Sequence, residues 1–217
     1  MENQKRIILN DSQSKLVIDP MVGGALVNYY FKGPQGWIPI LRPGNSFQRS
    51  GAFSLGCNVL LPFANRISGG GFKIPHGHLE LAPNLVGEPF PIHGNAFQER
   101  WQIERVEENE VCLTLHSEGP SRFRYSAQLR YKLEEGILSM DLDVINQADE
   151  TLPYGIGFHP WLAREEDSQL QFSAIGCWLE DSQYLPTEHV VLDSGSSSDF
   201  LEKGGFPRGL LNNAYTC

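Results

Sequence analysis

The sequence predicts an all-β fold, a sandwich or barrel of short antiparallel strands with few or no helices. Two long segments, residues 123–133 and 137–145, place an apolar residue at every second position, which is typical of a strand with one buried face. No part of the 217-residue chain carries a convincing helical period over more than about two turns. Turns rich in Gly and Pro separate the remaining apolar runs.

The other strands are predicted from short apolar runs bounded by turn residues. The first two are expected to pair around a polar turn, and Glu134-Glu135-Gly136 is expected to join the two alternating segments. No internal repeat or linker divides the chain. The predicted strands outside the alternating segments are residues 6–9, 15–19, 25–31, 37–41, 101–106, 111–116, 170–174 and 177–179.

Residues 51–99 depart from this regular pattern. They include five Pro and eight Gly residues among apolar clusters without helical period. Such a length of irregular chain is unusual inside a compact domain unless it is functional. We therefore predict that this segment carries part of a functional site.

Two histidine motifs indicate where that site lies. His93-Gly94 falls within residues 51–99, and a glycine beside a histidine lets backbone approach a ligand closely. Gly157–Trp161 places His159 among aromatic residues, next to a proline. Together with Arg66, which follows an apolar run, the two histidines predict a site for a small polar ligand.

Each of these three residues also has an ordinary structural interpretation. Arg66 could be a partner in a surface ion pair, His93 a turn residue bonded to backbone, and His159 a buried structural residue. The residue pattern alone favours these structural interpretations. His116 and His189 have no motif around them and are expected to be structural.

The charge and the cysteines limit the partners and the compartment. A formal net charge of −9 indicates an acidic surface, which repels nucleic acids and anionic lipids, so neither is an expected partner. No apolar run approaches the ~18 residues of a membrane span, and the N-terminus lacks the apolar region of a signal peptide. Four scattered cysteines then predict reduced thiols in a cytoplasmic protein.

The sequence offers little for a metal ion. His76 and His78 form the only tight histidine pair, and no third ligand is evident near them. We therefore expect a surface turn after Pro75 and no metal site.

Four motifs, taken in order, are similar to those of the aldose 1-epimerase (galactose mutarotase) family. The resemblance implies a large antiparallel β-supersandwich, with residues 1–217 as a single domain. It also implies an enzyme that interconverts the α and β anomers of a hexose and requires no cofactor. The motifs are Leu16–Pro20 with Gly23-Gly24, Pro62–Ile67, Ile92–Gly94 and Gly157–Leu162.

The resemblance also implies roles for the polar residues. Arg66 would grip sugar hydroxyls, with Asn65 beside it in substrate binding. His93 would bind and polarise the sugar ring. His159 would be the general acid that protonates the ring oxygen, which suits a group whose pKa lies near ~6.5.

Aromatic residues would complete the sugar site by stacking on C–H faces. Phe158 and Trp161 are the expected contacts, and Phe63 and Phe97 lie near the same motifs. Aromatic residues in β-sandwiches are equally often plain core residues, and this alternative stays open for each of them.

The sequence departs from the family pattern in two places. Asn212 stands where the family has an aspartate that orients sugar hydroxyls, and it lacks the negative charge. No residue falls at the position of the catalytic glutamate, the general base, because the sequence stops at Cys217. We therefore expect a C-terminally incomplete mutarotase-like domain.

Three other functions remain to be compared. A hexose-phosphate mutarotase would need additional Lys or Arg around the site. A non-catalytic carbohydrate-binding β-sandwich would explain the absent glutamate. A glycoside hydrolase needs two facing carboxylates, and Glu165-Glu166 has no motif around it that supports this role.

Overall fold

The computed structural model describes residues 6–43, 51–193, 200, 204–205 and 212–217. It confirms the all-β prediction: within these residues the sole helical element is a 3₁₀ turn, Ala52–Ser54. The described helical residues include no stretch that is long and apolar enough to cross a membrane. The chain forms two compact units, Met1–Ala163 and Arg164–Cys217. That residues 1–217 form a single domain stays a prediction.

Residues 6–43 and 51–163, the described part of the first unit, contain twelve strands. They form a six-stranded sheet in the order β1-β2-β3-β5-β12 with β4 beside β3, a four-stranded sheet in the order β11-β10-β9-β8, and the hairpin β6-β7. All the strand pairs are antiparallel. The strands are β1 (Ile7–Asn10), β2 (Ser14–Asp19), β3 (Ala25–Gly33), β4 (Gly36–Pro39), β5 (Cys57–Leu60), β6 (Gly71–Ile74), β7 (Gly77–Glu80), β8 (Gln102–Val106), β9 (Glu110–Ser117), β10 (Tyr125–Glu134), β11 (Ile137–Asn146) and β12 (Gly157–Pro160).

The main core lies between the two larger sheets, as in a β-sandwich. In β10 every second residue is buried, which confirms the alternation read from the sequence. These side chains share one buried cluster with Leu16 and Ile18 of β2 and Leu26 of β3. The buried Tyr131 hydroxyl donates a hydrogen bond to the Gly24 carbonyl (2.9 Å) and so ties the four-stranded sheet to the other.

Sequence analysis missed β5, β12 and the hairpin β6-β7. β5 is buried at all four positions, so its residues show no alternation of apolar and polar types. The other three strands span four residues each, too few for a period to stand out. His76 and His78 are exposed in the hairpin β6-β7, which confirms the predicted surface turn.

The second unit is built of short strands. Its three-stranded sheet has the order β15-β14-β17, and β13 pairs with β16. The strand predicted at residues 170–174 is shorter than expected and ends at Leu170. Beyond it the Phe172 N–H donates to the Phe200 carbonyl (3.0 Å), and the two rings stack (5.1 Å). The strands are β13 (Gln169–Leu170), β14 (Gly176–Glu180), β15 (Pro186–Val191), β16 (Gly204–Gly205) and β17 (Ala214–Thr216).

The cysteines are free thiols, as the sequence predicts: Cys57, Cys112 and Cys177 are buried and Cys217 is exposed. The cytoplasmic location stays a prediction.

Candidate functional site

Two histidines from distant parts of the sequence, His93 and His159, face each other in the first unit. Their ring centroids are 5.4 Å apart and the ring planes meet at 74°. Both residues are partly exposed, so solvent reaches the pair. The structure thus brings together the two imidazoles that the sequence analysis assigned to one site.

His93 is held by a reciprocal contact with Asn65. The Asn65 backbone N–H donates to His93 Nδ1 (3.0 Å), and the His93 backbone N–H donates to the Asn65 carbonyl (3.0 Å). Both residues have positive φ values, 62° for Asn65 and 59° for His93. Left-handed backbone at non-glycine residues is costly and is concentrated at functional sites.

This contact fixes the tautomer of His93. An Nδ1 atom that accepts a hydrogen bond carries no proton, so the proton of the neutral ring is on Nε2. The pKa of His93 is lowered to about 4, mainly by burial and in addition by the neighbouring His159 and Arg66, whereas Glu88 opposes them. His93 is therefore neutral at pH 7 and presents Nε2–H as a hydrogen-bond donor.

Asn84 fixes the backbone on both sides of His93. Its side-chain amide donates to the carbonyls of Ile92 (2.9 Å) and Gly94 (2.6 Å), and its oxygen accepts from the Ile92 N–H (2.8 Å). Gly94 has φ 68°, and a Cβ there would lie 2.0 Å from the Leu61 carbonyl oxygen. The close approach of these segments explains why glycine follows the histidine.

His159 is presented by a regular strand. It lies in β12, which pairs with β5, and its ring packs against that of Trp161 (centroids 4.9 Å apart). Burial lowers the pKa of His159, a contact of the ring with its own backbone opposes this shift, and the charge of Arg42 acts in the same direction as burial. Its Nδ1 is buried without a hydrogen-bond partner among the described residues. A ligand can therefore exchange a proton with His159 only through Nε2.

Arg66 lies beside His93 in a bidentate ion pair with Glu88. Its Nε and Nη2 donate to the two carboxylate oxygens of Glu88, each at 2.8 Å. The two side chains are only 14% and 24% exposed. Arg66 thus has the ion pair that its structural interpretation predicted, but next to an imidazole of the site and largely buried.

Aromatic and cationic side chains surround the histidines. The Arg42 guanidinium lies over the Trp161 ring (4.3 Å to its centroid) and donates to the Phe53 carbonyl (2.8 Å). The Phe53 ring is 6.2 Å from that of His93. Phe53, Glu88 and Asn84 were not predicted as site residues, because no motif distinguishes them in the sequence.

Phe158 lies away from the histidine pair. Phe158 packs against the main core, and because side chains alternate along a strand, its neighbour His159 points to the opposite face of the sheet. This placement favours the core role that the sequence analysis left open for Phe158. Phe63 and Phe97 are buried as well.

Asn212 is in the second unit, exposed, just before β17. Its side-chain amide donates to a Glu180 carboxylate oxygen (2.8 Å). Its predicted role in sugar binding stays a prediction. Among the described residues, no three His, Cys, Asp or Glu side chains are grouped so that they could hold a metal ion.

The chain also matches a known protein family. The family model described as aldose 1-epimerase matches residues 5–215. The uncharacterised protein YphB of Escherichia coli (strain K12) is 31% identical over 206 residues, which cover 94% of this chain and 68% of YphB.

Solved structures agree with this match. A crystal structure of a candidate aldose 1-epimerase from Escherichia coli K12 has a TM-score of 0.87 and 29% identity, covering 97% of this chain and 69% of that one. An aldose epimerase homologue from C. elegans has a TM-score of 0.76 and 14% identity, with coverage of 92% and 65%, and shares the fold.

Proposed function

Because the chain belongs to the aldose 1-epimerase family, we propose that it is an isomerase that interconverts the α and β anomers of a hexose. One observation carries this proposal: the ring centroids of His93, on a loop, and His159, on a strand, are 5.4 Å apart. Two hydrogen-bonding groups at this separation suit one sugar ring.

Anomer exchange needs one group to protonate the ring oxygen and another to take the proton of the C1 hydroxyl. We assign the acid to His159, which delivers its proton from Nε2 because Nδ1 is buried. On ring closure the same nitrogen takes the proton back. A positioned acid of this kind contributes about 10²–10⁴-fold.

His93 and Arg66 bind and polarise the sugar in this proposal. The neutral His93 donates from Nε2 to a sugar oxygen, because Asn65 holds its other nitrogen as an acceptor. Glu88 aims the Arg66 guanidinium, whose N–H groups suit sugar hydroxyls. In this proposal the exposed side chain of Asn65 adds a polar contact to the sugar, and the ring of Trp161 adds a stacking contact.

The general base is the group that this set of residues does not provide. Glu88 contacts Arg66, but both of its carboxylate oxygens accept hydrogen bonds from that guanidinium. A carbohydrate-binding protein without catalysis is therefore the second candidate. It would use the same donors, His93 and Arg66, and leave the rate of anomer exchange unchanged.

Polarimetry of freshly dissolved α-galactose and α-glucose separates the two candidates. We expect the protein to accelerate the change in rotation and His159→Asn to abolish that acceleration without loss of folding. His116→Asn, an exposed histidine on β9, is the matched control and should keep full activity. A fully active His159→Asn variant would contradict the assignment of the acid.

A phosphorylated hexose is favoured by one observation, the Arg42 guanidinium over Trp161 next to His159. A cation there suits a phosphate group. Comparing the acceleration for glucose 6-phosphate with that for glucose tests this substrate. A preference for the phosphate that Arg42→Gln removes would establish it.

A further inference from the structure

Asn58 is a buried polar residue without an evident purpose in the fold. It lies in β5 and is 1% exposed. Neither its amide nitrogen nor its amide oxygen has a hydrogen-bond partner among the described residues. Buried amides are almost always paired, because an unpaired one loses its hydrogen bonds to water. An apolar residue of the same size would avoid this loss and so would be less costly to bury in the strand.

The register of the sheet places Asn58 directly opposite His159. In the antiparallel pair β5-β12, Asn58 is the partner of His159. Opposed residues point to the same face of a sheet, with Cβ atoms about 4.5–5.5 Å apart. The neighbours of Asn58, Cys57 and Val59, belong to the main core, so Asn58 points to the other face, with His159.

The unpaired atoms of the two residues match chemically. His159 Nδ1 is buried without a partner in the described part of the chain, as are both amide atoms of Asn58. A protonated imidazole donates from both nitrogens, and an amide oxygen accepts. Two opposed residues thus carry buried polar atoms without a hydrogen-bond partner in the described part of the chain, and His159 Nδ1–H and the Asn58 amide oxygen are a matching donor and acceptor.

Resting on the proposed function of His159 as the acid, we propose that Asn58 is a positioning residue for it. The Asn58 amide oxygen accepts the Nδ1–H of the protonated ring, directly or through one water molecule. This contact keeps Nε2 directed at the sugar. It also stabilises the charged form, which is the form that donates the proton.

The charged and titratable groups around His159 make this contact useful. Arg42 disfavours a second positive charge, and His93, in edge-to-face contact, is neutral at pH 7. The Cys57 thiol of the facing strand has its pKa raised by burial to about 12 and is also neutral. None of these groups accepts a hydrogen bond from Nδ1 in the described structure. The amide oxygen of Asn58, which lies directly opposite His159, is able to accept it.

The test combines a titration of His159 with polarimetry. In Asn58→Leu, we expect the His159 pKa, followed by ¹⁵N and C2–H NMR, to fall by about one unit, which is a tenfold change in the protonation equilibrium. The acceleration of anomer exchange at pH 7 should fall by about the same factor, since a smaller fraction of His159 is protonated. Asn58→Asp should shift the same titration upward.

Leu60→Ala is the matched control, because it alters a buried side chain of β5 two residues away. The Leu60→Ala variant should leave the His159 pKa unchanged, whereas the thermal stability of the protein falls. If Asn58→Leu leaves the titration and the ring tautomer unchanged, or if Leu60→Ala shifts them equally, the proposal is overturned. If the titration moves as expected but the unaltered protein shows no acceleration, Asn58 still positions His159 and only the proposed catalysis fails.

Discussion

The backbone around His93 depends on one side chain, Asn84, which makes three hydrogen bonds to Ile92 and Gly94 at 2.6–2.9 Å. Asn84→Ala removes all three. A net contribution of about 1 kcal/mol for each bond predicts a loss of about 2–3 kcal/mol in the free energy of unfolding. Because these bonds hold both neighbours of His93, the variant should also weaken the bond between the Asn65 N–H and His93 Nδ1.

Two measurements check this prediction. Urea unfolding gives the loss of stability, and ¹⁵N NMR of the His93 ring reports whether Nδ1 still accepts a hydrogen bond. In the variant we expect a mixture of the two neutral tautomers in place of one. Sugar binding, measured by isothermal titration, should weaken accordingly.

Asn146→Ala supplies the comparison. The Asn146 side chain also makes three hydrogen bonds, with Glu150, Ala148 and Tyr154, but at the exposed end of β11. It should cost less stability, since water can replace these bonds, and it should leave the His93 tautomer unchanged. A loss below about 0.5 kcal/mol for Asn84→Ala, with the tautomer intact, would refute the reasoning.

Two further predictions follow from the same site. Gly94→Ala places a Cβ 2.0 Å from the Leu61 carbonyl oxygen at a φ of 68°, so thermal unfolding should show a loss above about 2 kcal/mol in the free energy of unfolding. Gly87→Ala, the control, is also at positive φ but in open space, and it should cost about half as much. For His93, burial holds the pKa at about 4, below the ~6.5 of an unfolded chain, so its contribution to stability is complete above pH ~6.5 and is lost as the pH falls toward 4. His93→Gln should therefore lose less stability than the unaltered protein between about pH 7 and pH 4.5 in urea unfolding, and an equal loss would contradict the lowered pKa.

The regular part of the fold was predictable because a period of two is a strong signal over ten residues. Tyr125, Leu129 and Leu133 are buried in β10 as the alternation requires. The same logic fails in β5, where all four residues are buried. There the signal of alternation is absent, and only pairing with strands far away in sequence makes a strand.

The site was predictable in part, through motifs and not through contacts. His93 and His159 were found because glycine, proline and aromatic residues surround them. Asn84 bonds to a residue 8 positions away and Glu88 to one 22 positions away, so no local sequence motif identifies them. Asn58 was missed for a third reason. A single polar residue in an apolar run has no local signal, and its proposed role follows only from the strand register that sets it opposite His159.

The surroundings of the two histidines further suit them to different roles, although their sequence motifs look alike. If His93 gained a proton on Nδ1, its new N–H would face the N–H of Asn65, and two donors would meet at 3.0 Å. His159 has no such donor at its Nδ1 in the described structure, so protonation costs it only desolvation and the repulsion of Arg42. In the proposed reaction, the proton that is taken up and released in every cycle therefore belongs on His159, whereas His93 is suited to a fixed hydrogen bond that would polarise the sugar without changing charge.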